Sequence, residues 1–302
     1  MIKQYKLFSI LIMLLIPFYG LANQIACEIR KKEFTLINWN AWEMGQKNNY
    51  PFLQVREQLL SYKPDIVALQ EVKRCGSGFY HLLRPNIDFD IQKMWCAENK
   101  AYPGRGEGSA GSYGIGLASK FKTLSDKIIR EIHGRTVLGA KYLINDKPVW
   151  IWSAHTAFVT SPTDTTRLSD FETIAELINH HVSDSAPVIL VGDFNADRDN
   201  PWGNTDPERG EMQVFFDQGF IDLWREKYPN IYDRPGHTYY DKSRIDYILA
   251  RDLPLDWHIK KLKVLDNIWC DIGMDNQGKA IDCATNAQVD HSPILIRITT
   301  EI

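Results

Sequence analysis

Eight short apolar runs, each bounded by turn-forming residues, constrain this chain more than any other feature. They are Thr35 to Asn38, Ile66 to Leu69, Gly114 to Ala118, Thr136 to Leu143, Val149 to Ser153, Val188 to Val191, Ile245 to Ala250 and Ile294 to Ile298. Several are continuous β-branched runs, which predicts strands covered on both faces. Helical spacing shows in two places between them: Phe52, Val55, Leu59 and Tyr62, and then Leu168, Phe171, Ala175, Ile178 and Val182. Strand-rich stretches with a few intervening helices predict an α/β layered fold, its sheets packed face to face and its helices outside. No repeat, low-complexity tract or Pro/Gly/Ser-rich linker divides the chain.

The first residues read differently. Lys3 and Lys6 precede an apolar run from Leu7 to Ile16, a break at Pro17 and the small-residue ending Gly20, Leu21 and Ala22. This is the layout of a secretory signal peptide, and the run is shorter than the roughly 20 residues a membrane span needs. The expectation is a leader over 1–22, a single domain over 23–302, and a secreted or periplasmic protein. Loss of two lysines and no acidic residue would take the formal net charge from -3 to about -5. Such a chain has no global basic field, which argues against a non-catalytic nucleic-acid binder. An enzyme whose bound cation supplies charge at a phosphate is compatible with it.

All five cysteines lie beyond Ala22, and export permits disulfides. Cys270 and Cys283 bracket a polar, Gly-containing loop and are the first candidate pair, with Cys75 and Cys96 the next. Cys27 is left over. A different pairing, a free thiol or a lipid-modified Cys27 are the alternatives.

Polar residues stand at the ends of the apolar runs. Asn40 closes "TLINWN", Glu71 closes "DIVALQE", and His155 closes "VWIWSAH". Asp193 and Asn195 follow "VILVG", Asp246 opens "DYILA", and Asp290 and His291 immediately precede the last run. Singly, each has an ordinary reading as a turn, a loop cap or a hydrogen-bonded structural histidine. Together they form a set whose carboxylates need partners, because an isolated buried charge is too costly. Hydrolysis of a phosphate ester needs these parts. A hard cation takes oxygen ligands and keeps waters, attack by water needs a base, departure of an alkoxide needs an acid, and the phosphoryl charge needs donors. No Cys/His cluster argues for zinc, and no "GxSxG" elbow argues for a serine hydrolase.

The ordered segments "NWNAW", "LQE", "YGIGLAS", "SAHTAF", "GDFNAD", "RIDYIL" and "DHSPI" resemble the endonuclease/exonuclease/phosphatase superfamily from about Phe34 to Ile298. Within it the chain is similar to DNase-like members such as pancreatic-type DNases and the active subunit of cytolethal distending toxin. The resemblance implies a four-layer α/β sandwich with two central mixed β-sheets flanked by helices. It implies a metal site at Glu71, with Asn40 and Asp290, taking magnesium, with manganese or calcium as additional possibilities. Asn195 would donate to the scissile phosphate, and Asp193 would place the water or a second metal. His291 would activate water or contact the phosphate, oriented by Asp246. His155 matches the second histidine, suited to protonating the leaving oxygen, and Arg135 falls where DNase-like members hold the phosphate backbone. One departure stands out: the glutamate that orients the second histidine would fall near Gly111 or Ser112, and neither residue replaces it.

The implied activity is metal-dependent hydrolysis of DNA phosphodiester bonds, supported by the nuclease form "RIDYIL", by "SAHTAF" and by Arg135. A sphingomyelinase, with Trp269 as a thin candidate for entering lipid, and a phosphoinositide phosphatase are the enzymatic alternatives. Lipid headgroups therefore stand beside DNA as substrates. A non-catalytic binding protein is the alternative of another class, and no obligate protein partner is implied.

Overall fold

The computed structural model describes residues 32–41, 59–73, 95–98, 113–159, 161, 163–183, 185–199, 210–232, 236–239, 243–265 and 290–300. The expected leader, Cys27, Cys75, Cys270, Cys283, Trp269, Gly111 and Ser112 lie outside them. No helix among the described residues is long and apolar enough to cross a membrane.

Two mixed sheets form the fold. The strands of the first are β1 (Lys32–Asn40), β2 (Ile66–Lys73), β3 (Trp95–Glu98), β4 (Tyr113–Ser119), β12 (Trp257–Val264) and β13 (Ile294–Thr300). Their order is β12-β13-β1-β2-β4-β3. The second contains β5 (Lys122–Thr123), β7 (Arg135–Ile144), β8 (Lys147–His155), β9 (Val188–Asp193), β10 (Ile221–Asp222) and β11 (Asp246–Arg251). Its order is β10-β11-β9-β8-β7-β5, and β6 (Ile128–Ile132) pairs with β7.

Alternation along the strands makes the layers. Ile189 and Val191 join Leu36, Ala68, Leu117 and Ile296 in a core between the two sheets. Val188 and Leu190, on the opposite face of the same strand, pack with Trp152, Phe171, Ile174 and Ile178. Helix α1 (Thr166–His181) thus covers the outer face of the second sheet, and the unbroken run "VILV" is explained by burial on both sides. On the first sheet Ile37, Trp39, Val67 and Leu69 are fully buried on the face away from this core. The arrangement is the α/β sandwich expected, with two short helices, α2 (Gln213–Asp217) and α3 (Leu223–Lys227), beside the second sheet.

All eight expected strands are present, and β3, β5, β6, β10 and β12 are additional. The last of these was hidden for a physical reason. "WHIKKLKV" is a sheet-edge strand rich in lysine, as edges often are, and a register irregularity between Ile259 and Lys261 breaks its alternation. Helix α1 and its C-cap bury Phe171, Ala175, Ile178 and Val182 as the apolar spacing predicts, but at the first turn Arg167 and Asp170 are buried while Leu168 is half-buried.

Strand direction gathers the site. β1 and β2 run parallel, as do β8 and β9. Their C-terminal ends bring Asn40, Glu71, His155 and Asp193 to one edge of the sandwich. β7, β11 and β13 are antiparallel to β8, β9 and β1. Their N-terminal ends therefore carry Arg135, Asp246 and the Asp290 to His291 segment to that same edge.

Candidate active site

Register fixes the central row. Asp193 on β9 is paired with His155 on β8 and with Asp246 on β11, so three candidate side chains stand abreast across the second sheet. Gly192 just before them is required by close approach: a Cβ there would lie 2.1 Å from the Ala154 carbonyl oxygen. β9 then ends in a tight turn in which the Asn195 N–H donates to Asp193 Oδ1 at 2.9 Å. Asn195 sits in the left-handed region at φ 48°, which asparagine tolerates, and its amide donates to the Thr156 carbonyl at 3.0 Å. The ordinary turn role of Asp193 and Asn195 is thus real, and it builds the site.

The first sheet supplies the other half. Asn40 Nδ2 donates to Asp193 Oδ2 at 2.8 Å and lies 3.4 Å from Glu71 Oε1, joining the sheets through an amide. Glu71 also has a positive φ of 51°, at a register irregularity between Leu69 and Val72. Such an outlier for glutamate costs energy and is common where a side chain must be aimed at a functional point. Beneath this layer Gln70 Nε2 donates to Asn38 Oδ1 and Ser153 Oγ, both at 3.0 Å. This buried polar seam is visible in the sequence only as three polar residues within apolar strands.

His291 Nδ1 is 2.7 Å from Asp246 Oδ2, and His291 Nε2 faces Asp193 Oδ2 at 3.8 Å and Asp290 Oδ1 at 4.0 Å. Its segment is pinned twice: Trp39 Nε1 donates to the His291 carbonyl at 3.1 Å, and the Ser292 N–H donates to the Thr238 carbonyl at 2.7 Å. Thr238 Oγ1 in turn accepts from the Asp246 N–H at 3.1 Å. Tyr239 lies with its ring 5.0 Å from that of His291, a site neighbour that sequence reasoning missed.

His155 Nε2 is 3.4 Å from Asp193 Oδ2 and 3.9 Å from Glu71 Oε1. Its Nδ1 is 3.1 Å from Arg135 Nη1. With a side chain only 12% exposed, Arg135 is not a solvated strand-edge charge. Two buried charges on α1 were also missed. Arg167 donates to the Asn195 carbonyl and, at 2.9 Å, to Glu211 Oε1. Asp170 Oδ2 accepts from the Ala157 N–H at 2.8 Å, while its Oδ1 is 2.6 Å from His133 Nδ1.

Electrostatics separate the two histidines. Burial disfavours charge on His291, but the Asp246 and Asp193 carboxylates outweigh it and hold its pKa well above the ordinary histidine value. Burial, the Arg135 guanidinium and the His291 charge hold His155 well below that value. Asp193 is pushed up to about 7 by burial and by Asp246, against the His291 charge and the Asn40 and Asn195 donors. Burial and the Glu71 charge push Asp290 up to about 6, against His291.

The donors fit a hard divalent cation. Asp290 Oδ1 is buried with no hydrogen-bond partner among the described residues, and its carboxyl is destabilised as an anion by burial and by Glu71. A cation between them would remove that repulsion, and Asn40, Glu71 and Asp290 offer oxygen ligands of the type magnesium takes. Asp193, Asp246 and His291 also bring one ligand atom each within 4.8 Å of one another. The 2.7 Å contact between Asp246 and His291 commits Nδ1 to a hydrogen bond, so this trio reads as a carboxylate and histidine unit.

All nine residues expected from the sequence therefore meet at one edge of the sandwich. A search of curated proteins by sequence finds no match. Among solved structures, the chain is similar to the human Nocturnin catalytic domain with bound sulfate (16% identity, 90% of this chain and 98% of that one, TM-score 0.61). It is similar to D. rerio TDP2 complexed with single-strand DNA product (16% identity, 89% and 100% coverage, TM-score 0.58). It also resembles a mannosyl-6-phosphatase from Bacteroides thetaiotaomicron (16% identity, 88% and 99% coverage, TM-score 0.55). At such identities the likeness is one of fold. A model of the endonuclease/exonuclease/phosphatase family matches residues 37–259, most of the chain, and the protein belongs to that family of nuclease-, phosphodiesterase- and phosphatase-type hydrolases.

Proposed function

We propose that this chain is a secreted, magnesium-dependent endonuclease that hydrolyses DNA phosphodiester bonds at the edge where its two sheets meet. The observation that carries the reading is the joint placement of Asp193, Asp246 and His291 beside the acidic pair Glu71 and Asp290. One group of side chains would handle a proton and another would hold a cation.

Asn40, Glu71 and Asp290 would hold the metal, which would supply Lewis-acid charge to a phosphate oxygen. The remaining steps belong to the chain. Asp193, with a pKa of about 7, has the basicity suited to taking a proton from water near neutral pH. Asn195, held by its turn, donates to a phosphoryl oxygen. His291, charged and oriented by Asp246, faces the phosphoryl group and offsets the negative charge that develops on it. Arg135 adds positive charge beside His155, and His155 serves the leaving oxygen.

DNA is favoured over lipid by the retained second histidine, by the Arg135 charge at the site and by the leader expected from the sequence. The similar TDP2 structure, complexed with single-strand DNA product, supports this reading. The mannosyl-6-phosphatase makes a phosphomonoesterase the competing outcome. A panel of plasmid DNA, RNA, sphingomyelin, a phosphoinositide and a sugar phosphate, with magnesium and with chelator, tests the reading. Metal-dependent cleavage of plasmid DNA above all other substrates is the expected result. Turnover of a lipid or a phosphomonoester with inert DNA would overturn it.

A further inference from the structure

His155 is held by an arginine, and a guanidinium can only donate. At 3.1 Å from Arg135 Nη1, the His155 Nδ1 must therefore present its lone pair. The ring proton then resides on Nε2, the atom that points toward Asp193 Oδ2 and Glu71 Oε1. A carboxylate on Nδ1 would do the opposite, accepting a proton there and favouring imidazolium.

The pair is braced from both sides. Asp170 on α1 holds His133 and the Ala157 N–H with its two oxygens, at 2.6 and 2.8 Å. His133 and Ala157 each lie two residues from a member of the Arg135 and His155 pair. One buried carboxylate thus clamps the start of β7 and the end of β8. The positive φ of His133, 39°, belongs to the same tight hairpin.

We propose that Arg135 is a positioning residue that fixes His155 as its Nε2–H tautomer, so that His155 gives a hydrogen bond to the phosphoryl or leaving oxygen instead of acting as an imidazolium acid. The arrangement takes the place of a histidine oriented by a carboxylate. Its consequence for activity rests on the phosphodiesterase reading above, whereas its consequence for the ring does not.

The test therefore has two arms. In ¹⁵N-histidine spectra of the intact wild-type protein near neutral pH, with and without magnesium, His155 is assigned by its loss in His155→Gln. It should show an unprotonated Nδ1 and a protonated Nε2. In Arg135→Met that signature should be lost. On phosphodiester substrates, kcat of this variant should fall on the order of tenfold or more, with KM changing less. The fall should be smaller on a nitrophenyl diester, whose leaving group needs little help. A proton on Nδ1 in the wild-type spectrum overturns the proposal without any variant. So does an Arg135→Met protein with the wild-type tautomer and a raised KM at unchanged kcat, which would make Arg135 a phosphate anchor only. Absence of phosphodiesterase activity would sink the functional reading while leaving the spectroscopic arm decisive.

Discussion

Asp246 Oδ2 lies 2.7 Å from His291 Nδ1, with both side chains buried, and this contact joins the second sheet to the segment that opens the last strand of the first. That carboxylate holds Nδ1 and helps aim Nε2 toward Asp193 and Asp290. Losses from Asp246→Asn and His291→Ala should accordingly be far from additive, because residues acting as a unit lose their function together. Each single variant should reduce kcat by about two orders of magnitude or more. A double variant as slow as the product of the two single effects would mean that they act independently.

Glu71→Gln and Asp290→Asn should weaken magnesium binding, measured by calorimetry, and abolish turnover while leaving the circular-dichroism spectrum unchanged. The sheet core does not use either side chain, and each removes a charged ligand from the cation. A variant retaining wild-type magnesium affinity would displace that residue from the metal site.

The metal-free protein should show a stability that declines with pH because of its raised carboxyls. A carboxyl with a higher pKa folded than unfolded contributes stability that is fully present below the unfolded value of about 3.9 and lost as pH rises through the folded value. Those folded values are about 6 for Asp290 and about 7 for Asp193. His291 acts in the same direction at higher pH, and His155, whose value is lowered, acts in the opposite direction below the ordinary histidine range. Relative to Asp290→Asn, the wild type should lose up to about 3 kcal/mol between pH 4 and pH 8, at about 1.4 kcal/mol per unit. Added magnesium should recover most of that loss. A difference that stays flat over this interval in unfolding titrations would show that Asp290 is not perturbed by its surroundings.

Much of this site was legible because polar residues interrupt apolar strands. Asn40, Glu71, His155, Asp193 and Asp246 each stop or start a run that would otherwise be core, and such placement is costly without a partner. Arg167 and Asp170 were not legible. Helical periodicity is satisfied equally well by Leu168, and their partners, Asn195, Glu211, His133 and Ala157, lie far away in the sequence. Tyr239 was hidden for a similar reason, since only the fold brings it against His291. Arg135 was legible as a charge near a phosphate, but its contact with His155 depends on the pairing of β7 and β8, where Val137 faces Ala154.

Gly192→Ala should damage both stability and activity. The new Cβ would meet the Ala154 carbonyl oxygen at 2.1 Å, and relief requires β8 or β9 to shift immediately beside His155 and Asp193. A cost of about 1 to 3 kcal/mol is expected for such overpacking, with a clear fall in kcat. Thermal unfolding and steady-state rates check this together. A fully active, equally stable variant would show that the close approach of the two strands is not a requirement of the site.

Conversion of supercoiled plasmid to nicked and linear forms is the most direct measurement of the central claim, made with wild-type protein and His291→Ala in magnesium and in chelator. The wild type should nick DNA in magnesium and stop in chelator, and His291→Ala should be slower by about a hundredfold or more. Nicking that survives chelation, or that is unchanged in His291→Ala, would contradict a metal-assisted phosphodiesterase built on this cluster.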